Sequence, residues 1–175
     1  MLSKNQVSLS AIERYNLKQI QEWRNSNSLR SFFREFRELN YEMLEKWFLE
    51  THSNLISDSY FFMISLTATN EAIGVGGINH INWVNRNCQL SLFIGHENIY
   101  IDDNGWAKEA AIILEEYAFK SLNLHKIIVE LYESDQKKQN LLNDLGYLKE
   151  GTLREQVFKD GRYLNSSIYS KIRNF

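Results

Sequence analysis

The apolar positions of this chain change period several times, and each change predicts an element. Residues 7–12, VSLSAI, alternate and read as a first strand; Leu17, Ile20 and Trp23 then recur at helical spacing behind Asn16, a capping residue type. Residues 26–39 are polar and aromatic with no clear period, although Phe32, Phe36 and Leu39 share a face if FFREFREL is an amphipathic helix. Asn40 opens a second helix whose buried stripe is Tyr41, Leu44, Trp47 and Phe48, ending near His52. Residues 59–66 and 73–83 are strands joined as a hairpin by TATNEA. Gly76 and Gly77 inside the second strand mark a bulge or a close backbone approach.

Residues 88–95 form another strand. The helix after it carries Ala107, Ala110, Ala111, Leu114, Ala118 and Leu122 on one side, small residues that let it lie close to a sheet. KIIVELY, residues 126–132, has the β-branched content of a buried strand, and its place after a helix predicts a parallel crossover. Ser134 or Asp135 caps a last helix with Leu141, Leu142 and Leu145 inward and Gly146 as its left-handed stop. Asp160-Gly161 hinges a closing hairpin. The fold class expected is α/β (α+β): a mixed, mostly antiparallel sheet with one parallel βαβ unit, in a single domain over residues 1–175.

Composition narrows the function classes. The chain has 175 residues, 43% hydrophobic and 24% charged, with no apolar run near the roughly 20 residues of a membrane span. A net charge of −2 gives no basic field for nucleic acid, so neither nucleic acid nor membrane is expected as a partner. The start lacks the apolar core of a signal peptide, and the single cysteine, Cys88, suits a reducing compartment, so a cytoplasmic protein is expected. Histidines 52, 80, 96 and 125 are too scattered for metal-ligand spacing, and no metal is expected.

One stretch stands out. IYIDDNGWAKEA, residues 99–110, turns through two aspartates and one glycine straight into the small-residue helix. Read alone, it is a helix-capping turn through Asp102, Asp103 and Asn104 rather than a phosphate-cradling loop, which ordinarily carries several glycines.

The order of elements, together with EEYAFKSLNLHKIIVELYESDQK, LGYLKEGTLREQVFKDGRY and the early EWRNSNSLRSFFREFRELN, resembles the GCN5-related N-acetyltransferase (GNAT) superfamily, in its ribosomal-protein and spermidine acetyltransferase branch. The resemblance implies a GNAT-like domain whose parallel strands splay to hold acetyl-CoA as co-substrate, the pyrophosphate resting on a Gln/Arg-x-x-Gly-x-Gly/Ala loop. By position that loop is Asp102-x-x-Gly105-x-Ala107, with Asp102 departing from the pattern. The CoA-contacting residues implied are Leu92, Phe93, Ile94, Asn104, Gly105, Trp106, Ala107, Lys108, Asp135 and Lys138.

Acetyl transfer needs a neutral amine in line with the thioester carbonyl, a donor for the oxygen and a proton for the leaving thiolate. The family's usual carboxylate and tyrosine fall here on Gln89 and Leu142, which supply neither base nor acid. The candidates that remain are His80, Ser91 and Tyr132, with Glu35 and Glu38 as further bases; the other route is catalysis by proximity, with water carrying protons. The acceptor is expected at Trp23, Arg24, Arg34, Glu35 and Arg37, where arginines beside aromatics suit an anionic group.

The leading expectation is therefore N-acetylation of a small-molecule primary amine, in particular a nucleotide-linked amino sugar. The alternatives are a protein N-terminal acetyltransferase, a non-catalytic acyl-CoA-binding module and an interaction domain without CoA. Exposed sheet edges allow a homodimer.

Overall fold

The computed structural model describes residues 2–35, 37–52 and 57–173. Eight strands form one sheet in the order β1-β2-β3-β4-β5-β6-β8-β7, with β1 Leu2–Ser3, β2 Val7–Ala11, β3 Tyr60–Leu66, β4 Ala72–Asn82, β5 Asn87–Ile94, β6 Lys126–Tyr132, β7 Leu148–Lys159 and β8 Arg162–Ile172. All neighbours are antiparallel except β5 and β6. Helices α1 Leu17–Asn25, α2 Asn27–Arg30 and α3 Tyr41–His52 lie between β2 and β3. Helix α4, Trp106–Glu116, joins β5 to β6, and α5, Gln136–Asp144, follows β6.

Alternation fixes the faces of β5 and β6, whose buried residues include Cys88, Leu90, Leu92, Ile127, Val129 and Leu131. Across the sheet, α4 lays Ala107, Ala110, Ala111 and Leu114 into the core, and the π-helical turn Tyr117–Ser121 that continues it adds Ala118, each at most 1% exposed. That close approach explains Gly76: a Cβ added there would stand 2.9 Å from Leu114 Cδ1. Gly77 likewise has no room, with the Tyr60 carbonyl oxygen 2.6 Å from an added Cβ. Close approach is thus the role of both glycines; the register shifts of this hairpin fall at Ile64/Ser65, between β3 and β4, and the next at Asn79/Asn82, between β4 and β5.

The local signals at three helix ends act as their chemistry predicts. Asn40 Oδ1 accepts the Met43 amide at 2.8 Å and Asp135 Oδ1 the Lys138 amide at 3.1 Å, while Gly146 takes φ +79° after α5. Asp160 and Gly161, at φ +50° and +75°, turn β7 into β8.

Three expectations are corrected. Asn16 does not cap α1: its Oδ1 accepts the Glu13 amide at 2.8 Å and closes a short 3-10 turn, Arg14–Asn16. Tyr41 is exposed rather than part of the buried stripe of α3, because only the Leu44, Trp47 and Phe48 side of the helix meets the core. FFREFREL forms no helix over its described residues; after α2 the chain crosses the sheet as an irregular segment, and Phe36 lies outside the described residues. That segment is fastened at its end by Asn25, whose side-chain amide donates to the Leu39 carbonyl at 2.8 Å and accepts the Leu39 amide at 2.8 Å.

Among the described residues, no helix is long and apolar enough to cross a membrane, and no group of His, Cys, Asp and Glu is arranged to hold a metal.

Candidate active site

Strands β5 and β6 pair only at Asn87↔Lys126, Cys88↔Ile127 and Gln89↔Ile128. Beyond that point the two strands part. Further along β5, Ser91, Leu92 and Phe93 line a cavity of about 390 Å³, at the low end of the range small-molecule sites span, roughly 300–1,000 Å³. Val75, Gly76 and Asn79 of β4 continue this wall. The opposite side is built by α1 and α3, through Ile20, Arg24, Leu44 and Trp47, and by the irregular segment, through Phe32, Phe33, Glu35 and Leu39. Tyr100 and Lys138 complete it from the far end of the opening.

Tyr100 is held from four directions. Its amide and carbonyl bridge Ile94 at 2.9 and 2.8 Å, its ring stacks on Phe32 with centroids 4.0 Å apart, and its hydroxyl donates to Asp135 Oδ2 at 2.9 Å. These contacts hold a φ of +72°, a conformation aromatic residues rarely adopt. Burial, then the adjacent Asp135 charge, raises the Tyr100 hydroxyl well above the ordinary phenol range. Sequence reasoning missed Tyr100, as it missed Asn79; the single usable signal was its place directly before the aspartate turn.

The charges around the cavity are unequal. The Arg24 guanidinium lies 4.3 Å from the centre of the Phe33 ring, its Nε has no hydrogen-bond partner, and burial lowers its pKa while Glu35 raises it. Lys138, half-buried with its ammonium 5.8 Å from the Tyr100 ring centre, has its pKa lowered by burial, countered by Asp135 and reinforced by Arg34. Glu35 accepts the Arg37 amide at 3.0 Å and the Arg37 guanidinium at 2.8 and 2.6 Å, hydrogen bonds that lower its pKa to about 2.

Of the expected acceptor residues, then, Arg24 and Glu35 face the cavity. Arg37 is committed to Glu35. Arg34 reaches across to β6 and β8, its Nη2 2.9 Å from both Glu130 Oε1 and Ser166 Oγ. Trp23 is buried in the core: its ring packs edge-on against Phe93 at 6.2 Å, and an added Cβ on Gly95 would stand 2.1 Å from that ring. Of the catalytic candidates, Ser91 lines the cavity. His80 does not; it is exposed at the β4 register shift, at φ +50°, where the irregular backbone turns it outward and leaves Asn79 facing in. The Tyr132 hydroxyl donates to the Phe33 carbonyl at 3.2 Å and so anchors the irregular segment. Burial raises its pKa, Arg34 lowers it and Asp160 raises it. Leu142 is packed in the core and Gln89 sits in the last paired position, so neither offers a proton donor or base.

At the loop, Asp102 is only 8% exposed and receives the Trp106 and Ala107 amides, at 2.8 Å on Oδ2 and 2.7 Å on Oδ1. A carboxylate therefore sits on the first amides of α4, where the helix dipole favours an anion. Gly105 adopts φ +91° and carries the chain into the helix. Asn104 is exposed, Trp106 packs edge-on with His96 at 5.8 Å, and Lys108 Nζ lies 3.4 Å from Asp144. Leu92 and Phe93 line the cavity, while Ile94 is fully buried.

Comparison with known proteins places this geometry. The family model described as Acetyltransferase (GNAT) domain matches residues 9–168. The chain belongs to this GNAT acetyltransferase family. Within it, the chain is 26% identical over 159 residues to a spermidine N(1)-acetyltransferase of Vibrio cholerae, covering 91% of this chain and 88% of that protein. It is 31% identical over 112 residues to the uncharacterized N-acetyltransferase p20 of Bacillus licheniformis, covering 64% of this chain and 61% of that one. The crystal structure of the Vibrio cholerae spermidine N-acetyltransferase in complex with CoA and spermine superimposes with a TM-score of 0.86 at 25% identity, covering 97% and 96% of the two chains. The GNAT chain described here is accordingly an N-acetyltransferase with acetyl-CoA as co-substrate. The readings without catalysis or without CoA give way to this one.

Proposed function

We propose that this GNAT enzyme acetylates the primary amine of a small molecule bound in the cavity beneath Phe32 and Phe33, with acetyl-CoA entering where β5 and β6 part. The observation that carries the reading is that the strands stop pairing after Gln89, and Ser91 to Phe93, two to four residues further along β5, line the cavity. In the reaction the amine nitrogen bonds to the thioester carbon and the C–S bond breaks. The nitrogen loses one proton and the thiolate gains one.

With Gln89 and Leu142 in the family's usual base and acid positions, the work falls on positioning, and water carries the protons. Ser91 is the candidate proton carrier that faces the cavity. CoA contacts are assigned to Leu92, Phe93, Gly105, Ala107 and Lys108, with the Asp102 carboxylate yielding the helix amides as the pyrophosphate arrives. Thiol release from acetyl-CoA across a panel of amines tests the reading, and Gly105→Val, which strains the loop backbone at φ +91°, is expected to weaken CoA binding.

The nucleotide-linked amino sugar is not retained. None of the relatives named above supports it, and two of the three arginines expected to clamp its phosphates are bound to Glu130 and Glu35. No relative named above is described as acting on a protein N-terminus. A polyamine acceptor is the second reading, favoured by the spermidine acetyltransferases among the relatives, and acetylation of spermidine is its test. A homo-oligomer belongs to the same proposal: the Phe158 and Tyr163 rings meet at 5.1 Å on the exposed tip of the β7–β8 hairpin, and one structure of the Vibrio cholerae relative is described as dodecameric. Light scattering reads the assembly directly.

A further inference from the structure

The cavity carries a charge pattern that a polycation does not fit. Two cations, Arg24 and Lys138, line it, and the one carboxylate in its lining, Glu35, is already gripped by Arg37 through three hydrogen bonds. Arg24 is the more telling of the pair. Its guanidinium is stacked on Phe33, and its Nε is buried without a partner. A buried donor left unpaired is costly, and a planar guanidinium is matched best by a carboxylate that accepts from two of its N–H groups at once. Apart from Asn79, Ser91 and Tyr100 the rest of the wall is largely apolar, with Leu39, Leu44, Phe61 and Val75 and the ring of Trp47.

Resting on the N-acetyltransferase reading above, we propose that the acceptor is a small amino acid with an apolar side chain, its carboxylate received by Arg24. The apolar body lies against Leu44, Trp47 and Phe61, and the amine faces Ser91 and Asn79 on the side where the strands part. Lys138 adds positive potential to the same cavity. The carboxylate takes no part in the chemistry: the amine N–C bond forms, the thioester C–S bond breaks, and one proton passes from nitrogen to the thiolate. A polyamine would instead bring further ammonium groups beside Arg24 and Lys138, and like charges placed together oppose binding.

The test is an initial-rate comparison of thiol release from acetyl-CoA with leucine, methionine, phenylalanine and tryptophan, each against its amide and its decarboxylated amine, and with spermidine. At least one amino acid is expected to exceed its amide in kcat/KM by about tenfold or more, as a site built around a polar group rejects the analogue that lacks it. Arg24→Gln is expected to bring acid and amide to similar rates while acetyl-CoA affinity, read by calorimetry, is unchanged. Because the acid-to-amide ratio is measured on the unsubstituted enzyme, it stands even if the variant folds poorly. Equal rates for acid and amide, preference for spermidine, or no turnover of any amino acid overturns the proposal. Turnover of spermidine or a simple amine alone removes the carboxylate and leaves the N-acetyltransferase reading in place; silence from every amine removes both.

Discussion

The ring of Phe32 lies flat on that of Tyr100, with centroids 4.0 Å apart and planes 6° apart. This stack joins the irregular segment after α2 to the loop after β5, and so closes the cavity at the mouth of the splayed strands. The pair is costly to assemble, because Tyr100 sits at φ +72°, and beside its backbone bonds to Ile94 the side-chain contacts that offset this, to Phe32 and Asp135, are long-range. Tyr100→Phe keeps the stack but leaves Asp135 Oδ2 without the phenolic donor. Urea denaturation is expected to show a loss of about 1–3 kcal/mol, the range for a buried group deprived of its hydrogen bond. Phe32→Ala removes the stack and is expected to raise the acceptor KM more than it changes acetyl-CoA affinity.

Asp102 holds the two amides that a pyrophosphate needs. Asp102→Ala removes a helix cap, with an expected stability loss of about 1 kcal/mol. It also frees the Trp106 and Ala107 amides and removes a negative charge from an anion site. Acetyl-CoA is therefore expected to bind several-fold more tightly to the variant, giving a larger thermal shift at saturating ligand than in the parent enzyme. An unchanged or weaker affinity would show that the carboxylate and the pyrophosphate do not compete.

Two glycines separate packing from backbone conformation. Gly95→Ala drives a methyl into the Trp23 ring, 2.1 Å away, and overpacking of this kind costs about 1–3 kcal/mol. Gly105→Ala meets only Gln6 Nε2 at 4.0 Å and pays instead for φ +91°, roughly 1–2 kcal/mol. Thermal denaturation reads both losses; in initial-rate assays Gly95→Ala is also expected to lower acceptor turnover, since Trp23 backs the Phe93 wall of the cavity, whereas Gly105→Ala acts on acetyl-CoA binding.

Burial pushes the Cys88 thiol up to about 12 from an ordinary value near 9.0. A raised thiol pKa favours the folded state below the ordinary value, and that contribution is lost as pH climbs through about 12. At pH 8 the native protein is expected to leave Cys88 unlabelled by a thiol reagent over times in which the urea-denatured chain reacts fully. Stability is expected to begin falling as pH rises above 9.

The Glu35–Arg37 contact gives a complementary test at low pH. Hydrogen bonds from Arg37 lower the Glu35 pKa to about 2, so its contribution is present above the ordinary carboxyl value and is lost as pH falls toward 2. Both side chains reach solvent, so Arg37→Ala is expected to leave stability at neutral pH nearly unchanged in urea denaturation. Its clearer effect is on substrate choice: freed from Arg37, Glu35 leaves the cavity less positive, and the rate with an anionic acceptor is expected to fall relative to that with a neutral amine.

Sequence by itself determined what depends on neighbours along the chain. Alternation located the strands, the small-residue stripe gave α4 its buried face, and Asn40, Asp135, Gly146 and Asp160-Gly161 ended or turned their elements, because capping and turn geometry involve residues only a few positions apart. The family's absent carboxylate and tyrosine were equally legible at Gln89 and Leu142. Tertiary structure decided which polar and aromatic residues meet. Trp23 had the spacing of a core residue and the company of a ligand residue, and packing against Gly95 and Phe93 settled it for the core. Arg34 looked free until Glu130 and Ser166, roughly a hundred residues away, took it. Arg24, one turn from the same motif, found no such partner for its Nε. Periodicity records which face of an element is buried, whereas a long side chain's partner depends on distant strands being brought together, and only the folded sheet does that.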